Sequence, residues 1–256
     1  MDEFRIMKKV DNRIFYLVAF LVGFILFYVV SFIFQMVFLV GFEARTPGFI
    51  NDFQVLIQDQ NYAMFTSQMW AVLNLSQFFG SLTMGIILFV FLGKSVWRDL
   101  KRFKDDLWHN IWGIVVGFVF VLVGQIVLSK IYVYFGIDGT SDNQAGILMA
   151  LEADSKVFMY LSVVLLAPVV EELLFRKLLY GVVEETFRMP KIVSILASAV
   201  IFSLLHAMDI FFFQYFLMAL ILCGSYSLFK NNIVVPIGIH FLNNAIILFN
   251  LFVAIF

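Results

Sequence analysis

Long apolar runs separated by short polar segments recur along this chain, at about 14–42, 71–93, 110–135, 157–180, 191–207, 211–229 and 233–254. A hydrocarbon core of ~30 Å is crossed by about 20 helical residues, and each run meets or approaches that length. A closed β-barrel would instead show short segments of alternating hydrophobicity, which this chain lacks. The pattern predicts an all-α, polytopic membrane helix bundle of about seven transmembrane helices.

Two polar stretches break the series. Residues 43–70 contain Pro47 and Gly48 followed by NDFQVLIQDQNYAMFTSQMW, read as an interfacial helix with Tyr62 and Trp70 at the headgroups. Residues 136–154, which include DGTSDNQAG, read as an exposed connecting loop. It divides an N-terminal set of three transmembrane helices (1–135) from a C-terminal helix bundle (155–256). The first apolar run is too long for a cleaved signal segment and reads as a signal anchor.

Composition and charge sharpen this picture. Of 256 residues, 62% are hydrophobic and only 14% charged, against about half and a quarter in soluble domains. Basic residues cluster at Arg5, Lys8, Lys9 and Arg13, at Lys94, Arg98, Lys101, Arg102 and Lys104, at Arg176, Lys177, Arg188 and Lys191, and at Lys230. Fourteen of the 17 thus fall on one side, with only Arg45, Lys130 and Lys156 opposite. The positive-inside rule then puts the N-terminus in the cytosol and the C-terminus outside. That topology accounts for the basic clusters, so nucleic acid is not expected as a partner; membrane lipid is. The single cysteine, Cys223, excludes an internal disulfide and reads as a small apolar helix residue. Oligomeric state is not encoded, since no glycine-zipper pattern dominates a span.

Against this background the string APVVEELLFR stands out. A charge at the bilayer centre costs about 2.5–3.5 kcal/mol on insertion scales, yet Glu171 and Glu172 lie side by side. Pro168 cannot donate a backbone N–H, so the carbonyl of Val164 loses its helical partner and the helix opens just before Glu171. Glu172 and Arg176 are four apart and share a face, where an ion pair lowers the cost of burial. Glu171 is turned about 100° away and reads as the reacting carboxylate. The bland alternative is a helix end whose charges meet the cytosol.

Two later helices supply partners. In FSLLH, Phe202 and His206 share a face; in IHFLNNAIILFN, His240 and Asn244 do, while Asn243 points elsewhere. Taken together these groups suffice for peptide-bond hydrolysis. Glu171 takes a proton from water, His206 orients that water, and His240 with Asn244 stabilises the oxyanion. At 1.5 Å per residue the depths of Glu171 and His240 agree, whereas His206 falls toward the outer face unless the helices project or bend. Glu184, Glu185 and Arg188 form a near-copy, EExxR, read as a solvated helix end.

EELLFR, FSLLH and HFLNN match, in order, the EExxxR, FxxxH and HxxxN motifs. In this the chain resembles the CAAX-protease and bacteriocin-processing (CPBP, or Abi) family of intramembrane endopeptidases over roughly residues 155–250. The resemblance implies an all-helical membrane endopeptidase whose eukaryotic relatives trim prenylated CAAX proteins, and a catalytic set of Glu171, Glu172, His206, His240 and Asn244 supported by Arg176. It implies a peptide or lipidated protein as substrate. Bacterial members are linked to bacteriocin immunity and peptide-pheromone maturation, so a multi-pass protein of a bacterial cell membrane is expected, cutting near the cytosolic half of the bilayer. Glu171, His206 and His240 are also a donor set for Zn²⁺ or another divalent metal, although HExxH is absent. A glutamate-activated water needs no ion, and the metal-independent mechanism is favoured. A non-catalytic membrane scaffold of the same fold and a proton-coupled transporter are the competing readings.

Overall fold

The computed structural model describes the backbone of residues 2–59 and 61–254 and the side chains of residues 14–59 and 61–246. Among the described residues helices are joined by turns and short connections, without strands. Nine helices follow one another: α1 (Asp2–Glu43), α2 (Phe49–Gln58), α3 (Ser67–Asp105), α4 (Leu107–Tyr134), α5 (Asp142–Glu152), α6 (Lys156–Thr186), α7 (Lys191–His206), α8 (Phe212–Leu228) and α9 (Val234–Ala254). All seven expected positions are helical. Four helices (α1 from Ile14, α3, α4 and α6) are long and apolar enough to cross a membrane, and α7, α8 and α9 are shorter apolar helices. The side chains of Arg5, Lys8, Lys9 and Arg13, and those of α9 beyond Ile246, lie outside the described residues.

Helix ends follow local chemistry. α3 runs on to Asp105, well past the expected 93, because GKSVWRDLKRFKD is made of helix-compatible residues and carries the buried Asp99 on its inner face. Its 39 residues extend about 58 Å, far beyond a ~30 Å hydrocarbon layer. Thr66 caps its start by accepting the Met69 N–H at 3.3 Å. The polar stretch after α1 does contain a helix, α2, whose Phe49 and Phe53 pack one turn apart on Leu39, Met69 and Val72. The Glu43 carboxylate accepts the N–H groups of Gly48 and Ile50 at 2.9 and 2.8 Å, which ties off the intervening turn.

One expectation is corrected here. Residues 136–154 are not simply an exposed loop, since α5 forms within them and buries Ala150 and Leu151. Ser141 caps it by accepting the Gln144 N–H at 3.2 Å, and Asn74 of α3 donates to the Ala150 carbonyl at 3.0 Å and to Ser155 Oγ at 2.8 Å. The apolar run ILMAL after the polar DNQAG supplies the face that packs.

α6 is the axis of the bundle. All seven of its residues from Leu173 to Leu179 are buried, against Met84 and Leu88 of α3, Phe202 of α7, Leu222 of α8 and Ile239 of α9. α4 closes on α9 through reciprocal glycines: a Cβ on Gly117 would overlap Ile239, and one on Gly238 would lie 2.6 Å from Ile114 Cδ1. At the basic end, the buried Asp99 carboxylate accepts Lys177 Nζ at 2.5 Å, the Ile233 N–H at 3.3 Å and Arg102. Asn232 donates to the Asp99 carbonyl at 3.0 Å. One acid thus joins α3, α6 and the α8–α9 turn. Asp99→Ala leaves Lys177 buried without its counter-charge, and is expected to cost about 3–5 kcal/mol, read as a lowered Tm in detergent. An unchanged Tm would show that Lys177 reaches water.

Candidate active site

Glu171 is the middle residue of α6, and the helix is unusually wound on both sides of it. Residues Ser162–Leu166 and Leu173–Leu179 form π-turns, bonding one residue further back than an α-helix, with α-helical Ala167–Glu172 between them. The first π segment relocates the orphan that Pro168 creates. Ala167 bonds back to the Ser162 carbonyl, so in this register the Val163 carbonyl, rather than Val164, would next look to residue 168, which has no N–H. Asn244 of α9 fills that role by donating from Nδ2 to Val163 O at 2.8 Å. A backbone gap on one helix is thereby closed by an amide on another.

Glu172 and Arg176 are both fully buried, with Glu172 Oε1 and Arg176 Nη1 3.1 Å apart. The same Oε1 lies 2.8 Å from His240 Nδ1. A carboxylate accepts, so Nδ1 carries the hydrogen and Nε2 is left facing Glu171. The Arg176 guanidinium sits over the Phe202 ring, 4.4 Å from its centroid, and His206 stacks on the same residue with centroids 4.2 Å apart and planes at 23°. Phe202 is therefore the spacer that holds a buried cation and an imidazole at fixed separation.

His206 Nδ1 lies 2.7 Å from the Phe202 carbonyl, which can only accept, so this ring too presents Nε2 to the site. Glu171 Oε2 is 3.7 Å from His206 Nε2 and 4.0 Å from His240 Nε2. Those gaps exceed a direct hydrogen bond and match what one small molecule can bridge. Glu171, His206, His240 and Asn244 line a cavity of about 1160 Å³. His206 reaches Glu171 because α7 has only 16 residues and ends beside the middle of α6, which resolves the mismatch in depth counted along the sequence.

Every residue singled out from the three motifs is brought to this place. One of them, Asn244, also makes a structural bond. Asn244 holds α6 through Val163 and accepts from Asn243 Nδ2 at 3.2 Å. Lys177, just past the first motif, is buried on Asp99 rather than meeting the cytosol at a helix end. The near-copy motif stays apart: Glu185 and Arg188 are exposed, and Glu184 is half-buried, accepting Asn231 Nδ2 at 3.4 Å. Tyr215 went unnoticed in the sequence. Its ring packs on His206 at 5.0 Å, and its hydroxyl meets Ser141 Oγ at 2.9 Å and Asn143 Nδ2 at 3.2 Å. Only its position one turn into an apolar helix, Phe212–Leu228, could have hinted at a buried polar partner.

The donor types would suit zinc, but the placement does not. Among the described residues no three His, Cys, Asp or Glu side chains are grouped to hold a metal ion.

Comparison with known proteins agrees with the motifs. Residues 153–246 match the family model described as "Type II CAAX prenyl endopeptidase Rce1-like". The chain is also 29% identical over 140 residues to the Bacillus subtilis (strain 168) protein named "Putative membrane peptidase YdiL". That match covers 54% of this chain and 54% of the relative, so it spans about half the length of each. No solved structure matches.

The buried Glu172–Arg176 pair carries a stability prediction. Glu172→Gln keeps the shape and strands the guanidinium, with an expected loss of about 3–5 kcal/mol. Glu184→Gln, on the half-exposed near-copy, is expected to stay within about 0.5 kcal/mol. Thermal unfolding of both variants in one detergent checks the contrast; equal shifts would contradict it.

Proposed function

We propose that this protein is an intramembrane endopeptidase of the CAAX-protease and bacteriocin-processing type, acting on a membrane-associated or lipidated peptide. The observation that carries the reading is the Glu171 carboxylate facing two imidazole Nε2 atoms across 3.7 and 4.0 Å, at the foot of a cavity. The family match over residues 153–246 supports it. A bacterial cell membrane, with pheromone or bacteriocin processing as the setting, is part of the same proposal.

The chemistry follows from which atoms are already committed. A water in the gap donates one hydrogen to Glu171 and the other to His206 Nε2, which its Nδ1–H to Phe202 has oriented. As the water oxygen attacks the peptide carbon, Glu171 takes the proton and the carbonyl becomes an oxyanion. Donors toward it are the second N–H of Asn244, beyond the one on Val163, and Nε2–H of His240 when that ring is protonated. Glu171 then returns the proton to the leaving amine, and the C–N bond breaks. Glu172 and Arg176 act behind His240, fixing its ring through Nδ1. No step requires a metal ion.

Glu171→Gln keeps the size and one acceptor oxygen but removes the base. Cleavage of a tagged peptide substrate in cells lacking the native protein is expected to fall by at least about 10²-fold, within the range one general base supplies, with insertion unchanged. Wild-type cleavage is expected to survive chelator. Cleavage by the Gln variant at the wild-type rate would favour a scaffold and refute the assignment. Chelator-sensitive cleavage restored by zinc would refute the metal-independent step.

A further inference from the structure

The cavity has a direction. It is lined by the first turns of α3 (Trp70 to Gln77), the second half of α4 (Leu122 to Lys130), the start of α5, the first half of α6 and the last residue of α7. All of these lie at one end of the bundle. The basic cluster Lys94–Lys104 lies at the other, about 36 Å from Trp70 along α3 at 1.5 Å per residue. The distance exceeds the ~30 Å hydrocarbon layer, so the two ends face opposite sides of a membrane. The mouth is built onto the site itself: Ser141 and Asn143, at the start of α5, hold the hydroxyl of Tyr215, whose ring packs on His206.

We propose that substrate enters from the face opposite the basic clusters, which the positive-inside rule makes the non-cytosolic face, and reaches Glu171 down this cavity. The inference rests on the peptidase reading and names its substrate class: an extended peptide segment presented at the outer face, rather than a cytosolic C-terminal tail. The walls suit such a chain. Gln77, Gln125 and Gln144 each both donate and accept, as an unpaired peptide backbone requires, and Asn243 offers its unpartnered Oδ1 as an acceptor, with Trp70 and Met218 between them for side chains. A volume of about 1160 Å³ exceeds the ~300–1,000 Å³ typical of small-molecule sites.

Single cysteines test it in the full chain carrying Cys223→Ser. Thr140→Cys and Asp142→Cys place the thiol at the exposed mouth, and Lys101→Cys places it on the basic face. With intact cells and a membrane-impermeant maleimide, the mouth thiols are expected to label at once and Lys101→Cys only after permeabilisation. A bulky maleimide at Thr140→Cys is expected to slow peptide cleavage at least tenfold, and one at Lys101→Cys to leave it unchanged. Reversed labelling overturns the proposal, as does full cleavage with a bulky group on the mouth. The labelling reads the entry face without any cleavage: a chain that labels as expected but cuts nothing removes the peptidase reading and keeps the access face.

Discussion

A guanidinium withdrawn entirely from solvent inside an apolar bundle has to be answered by a negative charge, and Arg176 is answered by Glu172. Left alone, either ion would cost several kcal/mol. The pairing does more than neutralise, because the same carboxylate oxygen receives His240 from α9, and the face of Phe202 receives the guanidinium from α7. Three helices are therefore registered by one buried charge pair. Its neighbour in sequence, Glu171, is turned away from that pair and lines the cavity, the placement on which its proposed role rests. Adjacent glutamates with different surroundings thus take different work.

The winding of α6 makes this division possible. A straight α-helix carrying Pro168 would leave a carbonyl exposed to lipid. Here the π-turn passes that gap to Val163, where Asn244 closes it, and the second π-turn carries Arg176 and Lys177 inward rather than toward the aqueous face. Lys177 then finds Asp99. The basic end of the bundle is locked by that acid while the opposite end holds the cavity.

Much of the architecture was legible because hydrocarbon imposes a length on every span, and apolar runs reveal it directly. The three motifs likewise marked the acid and imidazoles that converge on the cavity, since such groups are costly to bury in lipid. What stayed hidden depends on partners far away in sequence. The carbonyl that the first π-turn leaves over at Val163 is met by Asn244, some eighty residues further on. Burial of Lys177 is decided by Asp99, which sits in a run that reads as a solvated charged face. α5 was legible in principle, through Ser141 three residues before Gln144 and the apolar ILMAL that follows, but DGTSD dominated the reading of that stretch. The role of Phe202 was invisible as chemistry, because an aromatic among 33 phenylalanines carries no mark until a cation lies on its face.

Convergence of two imidazoles on the Glu171 carboxylate is what the account stands or falls on, and His109, packed against Phe229 at 5.0 Å and away from the cavity, is an internal control. Solid-state ¹⁵N spectra of the three histidines, recorded in lipid for wild type and Glu171→Gln, read that convergence directly. Nε2 resonances of His206 and His240 should both move while those of His109 stay in place. Spectra in which His206 and His240 are indifferent to the substitution, in a protein that remains folded, would contradict it.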